Sequence, residues 1–426
     1  MAALKTIPLW TDQFPRPADL PVATAVPDVV DVAIVGSGYT GLNAARVLVQ
    51  NGATVAVLER ETIGWGASSR NGGMATPGIK QSIQVIFRQY GRSLGRQFWQ
   101  ASLEAIDLID QIVREEQLDC DWFRPGHVAL AVKPTHFEQM RHKAAWMARE
   151  LGHKTKLLTP SDLKGEIGSD LFYGGLADDY SGGIHPAKYV FGLARAVAQQ
   201  GAYLCEHTAV SRITKLPTGY QLHTSQGILT AKEVIVATNG YTDRLLPQLK
   251  PRIFPVGSYI IVTEPLPPDL QQELSPKKRM FYDSKWFINY FRLTPDGRML
   301  WGGRNNLSTT LDLRESAHIL RRQLVHTFPQ LANVAITHSW TGKLGITFDL
   351  MPHIGRIDGI HYALGYGGHG VSIATYVGTE IGLILAGKKS SSPFAEIPHP
   401  TRFFYRNRPW FIPLAAMYYR FLDKVT

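Results

Sequence analysis

Cysteine is almost missing from this chain. Cys120 and Cys205 are the only two among 426 residues, and neither has a metal-ligand partner at a recognised spacing. That argues against a disulfide framework and against a zinc site, so no metal ligands are assigned. It also suits a reducing compartment, and a cytoplasmic location is expected. Long apolar runs are missing too, since no stretch approaches the roughly twenty residues that span a bilayer. The N-terminal MAALKTIPLWTDQFPRP has no apolar core and carries Asp12 and several prolines, so it does not read as a secretory signal. Repeats and low-complexity tracts are absent. Acidic residues are outnumbered, 35 against 45 basic, for a net charge of +10. The excess clusters only mildly, at Lys277-Lys278-Arg279, Arg321-Arg322 and the C-terminus. No nucleic-acid-binding motif accompanies it, so nucleic acid is not an expected partner. The composition, 44% hydrophobic and 19% charged, is that of an ordinary globular protein, long enough for two domains.

What is present is concentrated between Asp31 and Glu59. Val32, Ala33, Ile34 and Val35 form a short apolar run that predicts a strand buried on both faces. Gly36-Ser37-Gly38-Tyr39-Thr40-Gly41 follows with the G-x-G-x-x-G spacing. Gly36 permits the tight turn, Gly38 lets backbone approach a pyrophosphate, and Gly41 lets helix and strand pack closely. Leu42, Ala45, Val47, Leu48 and Val49 recur at helical spacing up to Gly52, and Thr54 to Leu58 makes a second apolar strand. Free N–H groups at the helix start then face the phosphates. Glu59, eighteen residues past Gly41 and followed by Arg60, stands where an acid accepts hydrogen bonds from a ribose hydroxyl. Strand, glycines, helix, strand and acid together predict a dinucleotide site. Next comes Ile63 to Gly73, a loop of small residues with Trp65, Ala67, Ser68, Ser69, Arg70, Asn71, Gly72 and Gly73, which offers backbone N–H groups to a flat or anionic ligand.

GWGASSRNGG after a GSGYTGL…LE unit resembles the flavin loop of the D-amino-acid-oxidase-like flavoproteins, the family that includes glycine and sarcosine oxidases. Within it the motifs are most similar to those of gamma-glutamylputrescine oxidase and its relatives. The resemblance implies that the dinucleotide is FAD. It implies flavin contacts at the turn Ala237-Thr238-Asn239, adenine contact near Val210, and a closing flavin motif at Gly367-Gly368-His369-Gly370-Val371. Gly368 stands where a serine is usual, which matters little if backbone makes the contact. Neither cysteine lies in a flavin-attachment motif, so non-covalent FAD is expected. His369 reads either as a catalytic base or as a packed side chain. His185 reads as a structural helix-entry residue and Lys343 as a solvated lysine.

The substrate side is less legible. Phe287 to Arg292 predicts a strand, within Trp286 to Leu293, on which Tyr290 and Arg292 share a face. They are candidate catalytic residues pointing into a cleft, with the Arg292 guanidinium suited to hold a substrate carboxylate bidentately. The alternative is an exposed pair on a sheet face. Arg304 is the second choice of anchor. The expected fold is α/β, a Rossmann-like FAD-binding domain with an interleaved antiparallel-sheet substrate domain. The first comprises residues 28–75, 181–249 and 335–390; the second, 76–180 and 250–334. A proline-dotted arm, 1–27, precedes them, with Trp10 as its anchor. An aromatic-basic tail, 391–426, follows, which either packs on the body or touches a membrane surface; its prolines argue against a long amphipathic helix there, so membrane contact is not favoured. The expected activity is oxidation of a primary or secondary amine, an amino acid or polyamine derivative, by hydride transfer to flavin, with O2 or another electron acceptor. Two alternatives stay open: a membrane-surface dehydrogenase that reduces quinone, and a flavin-binding subunit without turnover.

Overall fold

The computed structural model describes residues 4–406 and 408–425. The predicted apolar run becomes the strand Val29–Val35, flanked in parallel by Val55–Leu58 and Gly227–Val236. With neighbours on both sides and helices over its face, Ala33 and Ile34 are fully buried, which is why the run is apolar without alternation. The sheet continues through Tyr203–Cys205 on one side and through Ile360–Leu364 and His353–Ile357 on the other; the meander Val210–Lys215 and Tyr220–Thr224 attaches to Gly227–Val236. Helices Tyr39–Gln50 and Gly370–Leu385 pack together closely enough that a β-carbon on Gly378 would lie 2.4 Å from the Thr40 carbonyl oxygen.

A second sheet of eight strands forms the cap. Its order is Ile336–Thr347, Ile253–Thr263, Met299–Gly303, Tyr290–Leu293, Met280–Asp283, His127–Leu130, Gly175–Asp178, Lys156–Leu158. Ile336–Thr347 pairs with Ile253–Thr263 from end to end. Sheet membership therefore changes after Thr347, twelve residues or so beyond the boundary read from the sequence. The strand expected from Trp286 is shorter as well. The Asp283 carboxylate accepts from the backbone N–H of Lys285 and Asn289 and from the Asn289 side chain. This closes 284–289 into a loop and leaves only Tyr290–Leu293 to pair.

Two helical stretches also differ from expectation. The periodic segment at Leu94 is the second part of Ile83–Glu115, which is interrupted at Gly91 with φ +83° and ψ 167°. The tail carries a helix, Ile412–Val425, because Pro413 falls in its first turn, where a missing N–H costs little. Trp10, on the short helix Leu9–Gln13, is fully buried and donates its indole N–H to the Asn71 carbonyl. The N-terminal arm thus braces the glycine-rich loop from behind. No helix among the described residues is long and apolar enough to cross a membrane.

Candidate active site

One cavity of about 610 Å³ runs between the two sheets. At one end the strand Val29–Val35 stops and the chain turns at Gly36, with φ +107°, a conformation that favours glycine. A β-carbon on Gly41 would lie 2.0 Å from the Gly36 carbonyl oxygen, so the helix can cross the strand this closely only without one. Gly38 caps the helix without a side chain of its own, the Ser68 hydroxyl accepts from Tyr39 N–H at 3.0 Å, and Gly38, Tyr39 and Thr40 all line the cavity. Across the cavity, His369 begins the helix Gly370–Leu385, again without a side-chain cap. Two helix N-termini therefore border one cavity and together favour a ligand with negative charge.

Glu59 lines the same end, its carboxylate accepting from Ser37 N–H and Ser37 Oγ at 3.0 and 2.7 Å. Arg60 and Val210 lie beside it, Arg60 in a half-exposed ion pair with Asp243 at 3.6 Å. Trp65, Ala67, Ser68, Arg70, Asn71 and Gly72 form one wall, and Ala237, Thr238 and Asn239 another. Gly367, Gly368, His369, Gly370 and Val371 complete the lining. Three of the anticipated residues, Gly41, Ser69 and Gly73, stand behind the wall and shape it without lining it. The sequence reading passed over Ser37, and over Tyr241, whose ring meets Trp65 edge-on at 5.9 Å and carries Lys343 Nζ at 5.4 Å. Lys343 is exposed as expected, yet it sits at the cavity rim.

Toward the cap, Tyr290 enters the cavity with its hydroxyl 3.1 Å from Ser258 Oγ. Arg292 does not accompany it. Although it shares the strand face, its guanidinium is buried beneath Gly73, donating Nε–H to the Gly72 carbonyl at 2.9 Å and Nη2–H to that of Ile184 at 2.7 Å. Trp10 and Phe123 flank it, and burial brings its pKa down to about 10. Arg292 is thus a brace under the glycine-rich loop, held away from the cavity; the close approach of Gly72 and Gly73, unseen in a linear pattern, redirected it. His185 is likewise structural, capping Pro186–Gln199 by accepting from Lys188 N–H. Near Tyr290 the cavity is lined instead by Lys80 and Arg304, on either side of Gly367-Gly368. Neither has an ion-pair partner among the described residues. The Arg304 charge, helped by burial, holds the Lys80 ammonium down to about 7. Burial, with the Lys80 and Arg304 charges, holds His369 down to about 3, so its ring is neutral, and its Nδ1 has no partner among the described residues.

Beyond these the cavity continues into the cap, past His127, Lys143, Asp178 and Tyr282. None of the four was singled out from the sequence, because they come from four segments that only the cap sheet and its covering helix bring together.

A family model described as DAO, FAD dependent oxidoreductase, matches residues 31–382. Gamma-glutamylputrescine oxidoreductase of Escherichia coli (strain K12) is 35% identical over 401 residues, 93% of each chain. The probable oxidoreductase OrdL of Haemophilus influenzae is 32% identical over 403 residues, 92% of each chain. Among solved structures, glycine oxidase from Geobacillus kaustophilus shares the fold with a TM-score of 0.76 at 21% identity, covering 88% of this chain and 100% of that one. The chain therefore belongs to the DAO family of FAD-dependent oxidoreductases.

Proposed function

We propose that this chain oxidises a primary or secondary amine at the carbon next to nitrogen. The carbon–hydrogen bond breaks with its electron pair, the resulting imine takes up water, and an aldehyde or keto acid and ammonia or an amine are released. The observation that carries this reading is the continuity of the cavity from the Gly36–Gly41 turn to Tyr290, Lys80 and Arg304. Bound FAD, held by the glycine turn, Glu59, the 65–72 wall and the His369 helix start, supplies the two-electron acceptor. The chain's own residues then have modest tasks. Lys80 and Arg304 set up a positive field at the reacting end, which disfavours an ammonium and keeps the amine in its neutral, oxidisable form. The Tyr290 and Ser258 hydroxyls can hold the nitrogen by hydrogen bonds, while Ile260, Ile288 and Ala374 supply apolar wall. Positioning of this kind accounts for much of the acceleration, and no side-chain acid or base is compulsory.

The test is anaerobic mixing of the flavin-loaded protein with a panel of amines and amino acids, with N-(γ-glutamyl)putrescine first because of the 35% identical relative. Bleaching of the flavin absorbance and release of an aldehyde are expected. If only NAD(P)H bleaches it, the reading is wrong.

For the oxidising partner, O2 is the first choice. A membrane quinone is a second reading, favoured by one observation. On Ile412–Val425 the residues Leu414, Met417, Tyr418, Phe421 and Val425 recur at helical spacing and are all more than half exposed, with Trp410 and Phe403 nearby. The opposite face docks on the body, where Tyr419 stacks on Trp286 and the Asp423 carboxylate accepts from Trp286 and Phe287 N–H. An apolar aromatic stripe with arginines alongside suits the surface of an anionic bilayer. Flotation with anionic vesicles, compared with a Met417→Glu, Phe421→Glu variant, tests the membrane contact that the second reading requires.

A further inference from the structure

The cap end of the cavity is a second chamber, and it holds a lysine with no ion-pair partner among the described residues. Its floor is one face of three adjacent strands. His127 pairs across to Asp178 on one side, and Ala129 to Leu176 on that side and Tyr282 on the other. Side chains of one strand face alternate, so His127, Ala129, Leu176, Asp178 and Tyr282 all point the same way, and all five line the cavity. Its roof is the helix Pro134–Leu151, which contributes Lys143 and Met147.

Every polar group of the floor is already engaged. His127 Nδ1 is 2.6 Å from Ser181 Oγ, its ring stacks on Tyr282 at 5.2 Å, and the Tyr282 hydroxyl reaches His127 Nε2 at 3.4 Å. Burial holds the imidazole down to about 4 and pushes the Tyr282 phenol up, so both are neutral. Asp178 accepts from His153 Nε2 at 2.7 Å and from Tyr180 N–H at 2.9 Å.

Lys143 differs. It is an exposed side chain that lines the chamber, and it has no hydrogen bond or ion pair among the described residues. Desolvation by the protein packed about the chamber lowers its pKa, and the Asp178 charge acts the other way. An unpaired cation on the wall of a cavity is available to an anionic group that brings hydrogen-bond acceptors.

We propose that this chamber is a subsite for the remote carboxylate of an extended amine, and that Lys143 is its anchor. The inference rests on the amine-oxidation reading and names its substrate class: an amine whose far end, several bonds from the oxidised carbon, carries a carboxylate. Lys80 and Arg304 then act at the reacting end on every amine, whereas Lys143 acts only on those with the anionic end. Selectivity and turnover are separable for that reason.

The flavin-loaded enzyme is assayed with N-succinylputrescine, which ends in a carboxylate, and N-acetylputrescine, which does not. Lys143→Met keeps the length and helix preference of the side chain. It should lose at least tenfold more kcat/KM on the succinyl than on the acetyl amine, with the loss in KM, because the contact is made equally in ground and transition states. Lys143→Arg should recover most of it. Arg304→Met should depress both amines alike. Equal losses for Lys143→Met on the two amines, or a selective loss in Arg304→Met instead, overturn the proposal. A second measurement does not need turnover: calorimetric titration with glutarate should show saturable binding that weakens at least tenfold in Lys143→Met. Glutarate binding that is absent, or unchanged by the substitution, also overturns it. If no amine bleaches the flavin while glutarate binding still depends on Lys143, the reaction assignment has failed and the subsite stands.

Discussion

Gly38 and Gly41, three residues apart, do different things, and substitution separates them. A β-carbon on Gly38 meets only the Ser68 hydroxyl, at 3.0 Å, and otherwise projects into the cradle. Gly38→Val should therefore fold and purify without flavin. On Gly41 the same atom meets backbone at 2.0 Å, so Gly41→Ala should lose about 1–3 kcal/mol of stability by overpacking. Melting temperature and FAD released on denaturation distinguish the two outcomes. Arg292 makes a comparable case among charged residues. Arg292→Met leaves the Gly72 and Ile184 carbonyls without their donors, at about 1–3 kcal/mol for each buried group. It should lower the melting temperature and flavin occupancy while reducing turnover of carboxylate-bearing and carboxylate-free amines equally. Lys80 supplies a pH signature. Its folded pKa, about 7, lies below the ordinary 10.5, chiefly because of the Arg304 charge. Between those values the unfolded chain binds the extra proton, so this lysine's penalty is full below pH 7 and fades as pH rises toward 10.5. In flavin-free protein, Lys80→Met should melt above wild type at pH 6.5, with the difference shrinking by pH 10. A constant difference would assign the effect to packing instead.

At the scale of elements, the long helical stretch Ile83–Glu115 is two helices joined at Gly91, whose φ and ψ are essentially reserved for glycine. Its β-carbon position is open, with nothing within 4 Å. Gly91→Ala should therefore destabilise through backbone strain alone, by about 1–3 kcal/mol, and the denaturant midpoint should fall with an unchanged slope. Helical periodicity was readable from Leu94 onward, but a glycine break in an amphipathic run is invisible to periodicity. The tail shows the converse. Its prolines argued against a helix in the sequence reading, yet Pro413 in the first turn is compatible with one, and the Asp423 carboxylate pins that helix to the 286–287 loop.

For the whole molecule, the two sheets are built from interleaved segments: cap strands His127–Leu130 and Gly175–Asp178 precede the nucleotide strand Tyr203–Cys205, and Ile336–Thr347 precedes Ile360–Leu364. Neither layer is a contiguous piece of chain, and the cavity between them is lined from both the 36–72 and the 342–374 parts of it. Saturation with FAD at a hundredfold excess over its dissociation constant should stabilise the fold by about 2.7 kcal/mol. It should move one cooperative calorimetric transition upward; two transitions, only one of them shifted, would show that the layers melt separately.

The sequence by itself determined the nucleotide half. A buried strand, three spaced glycines, a helix and an acid are local chemistry, each requirement met within thirty residues, so Gly36, Gly38, Glu59 and the 65–72 loop could be read in a line. The 367–371 turn could be placed only through family resemblance, since a glycine run before a helix has several uses. Only the tertiary structure decided the substrate half. Tyr290 and Arg292 share a strand face in any reading, but which of them reaches the cavity depends on Gly72 and Gly73 crossing above, more than two hundred residues away. Lys143, His127, Asp178 and Tyr282 meet because four segments separated by up to about 150 residues pair or pack, and no periodicity within one segment encodes a partner in another.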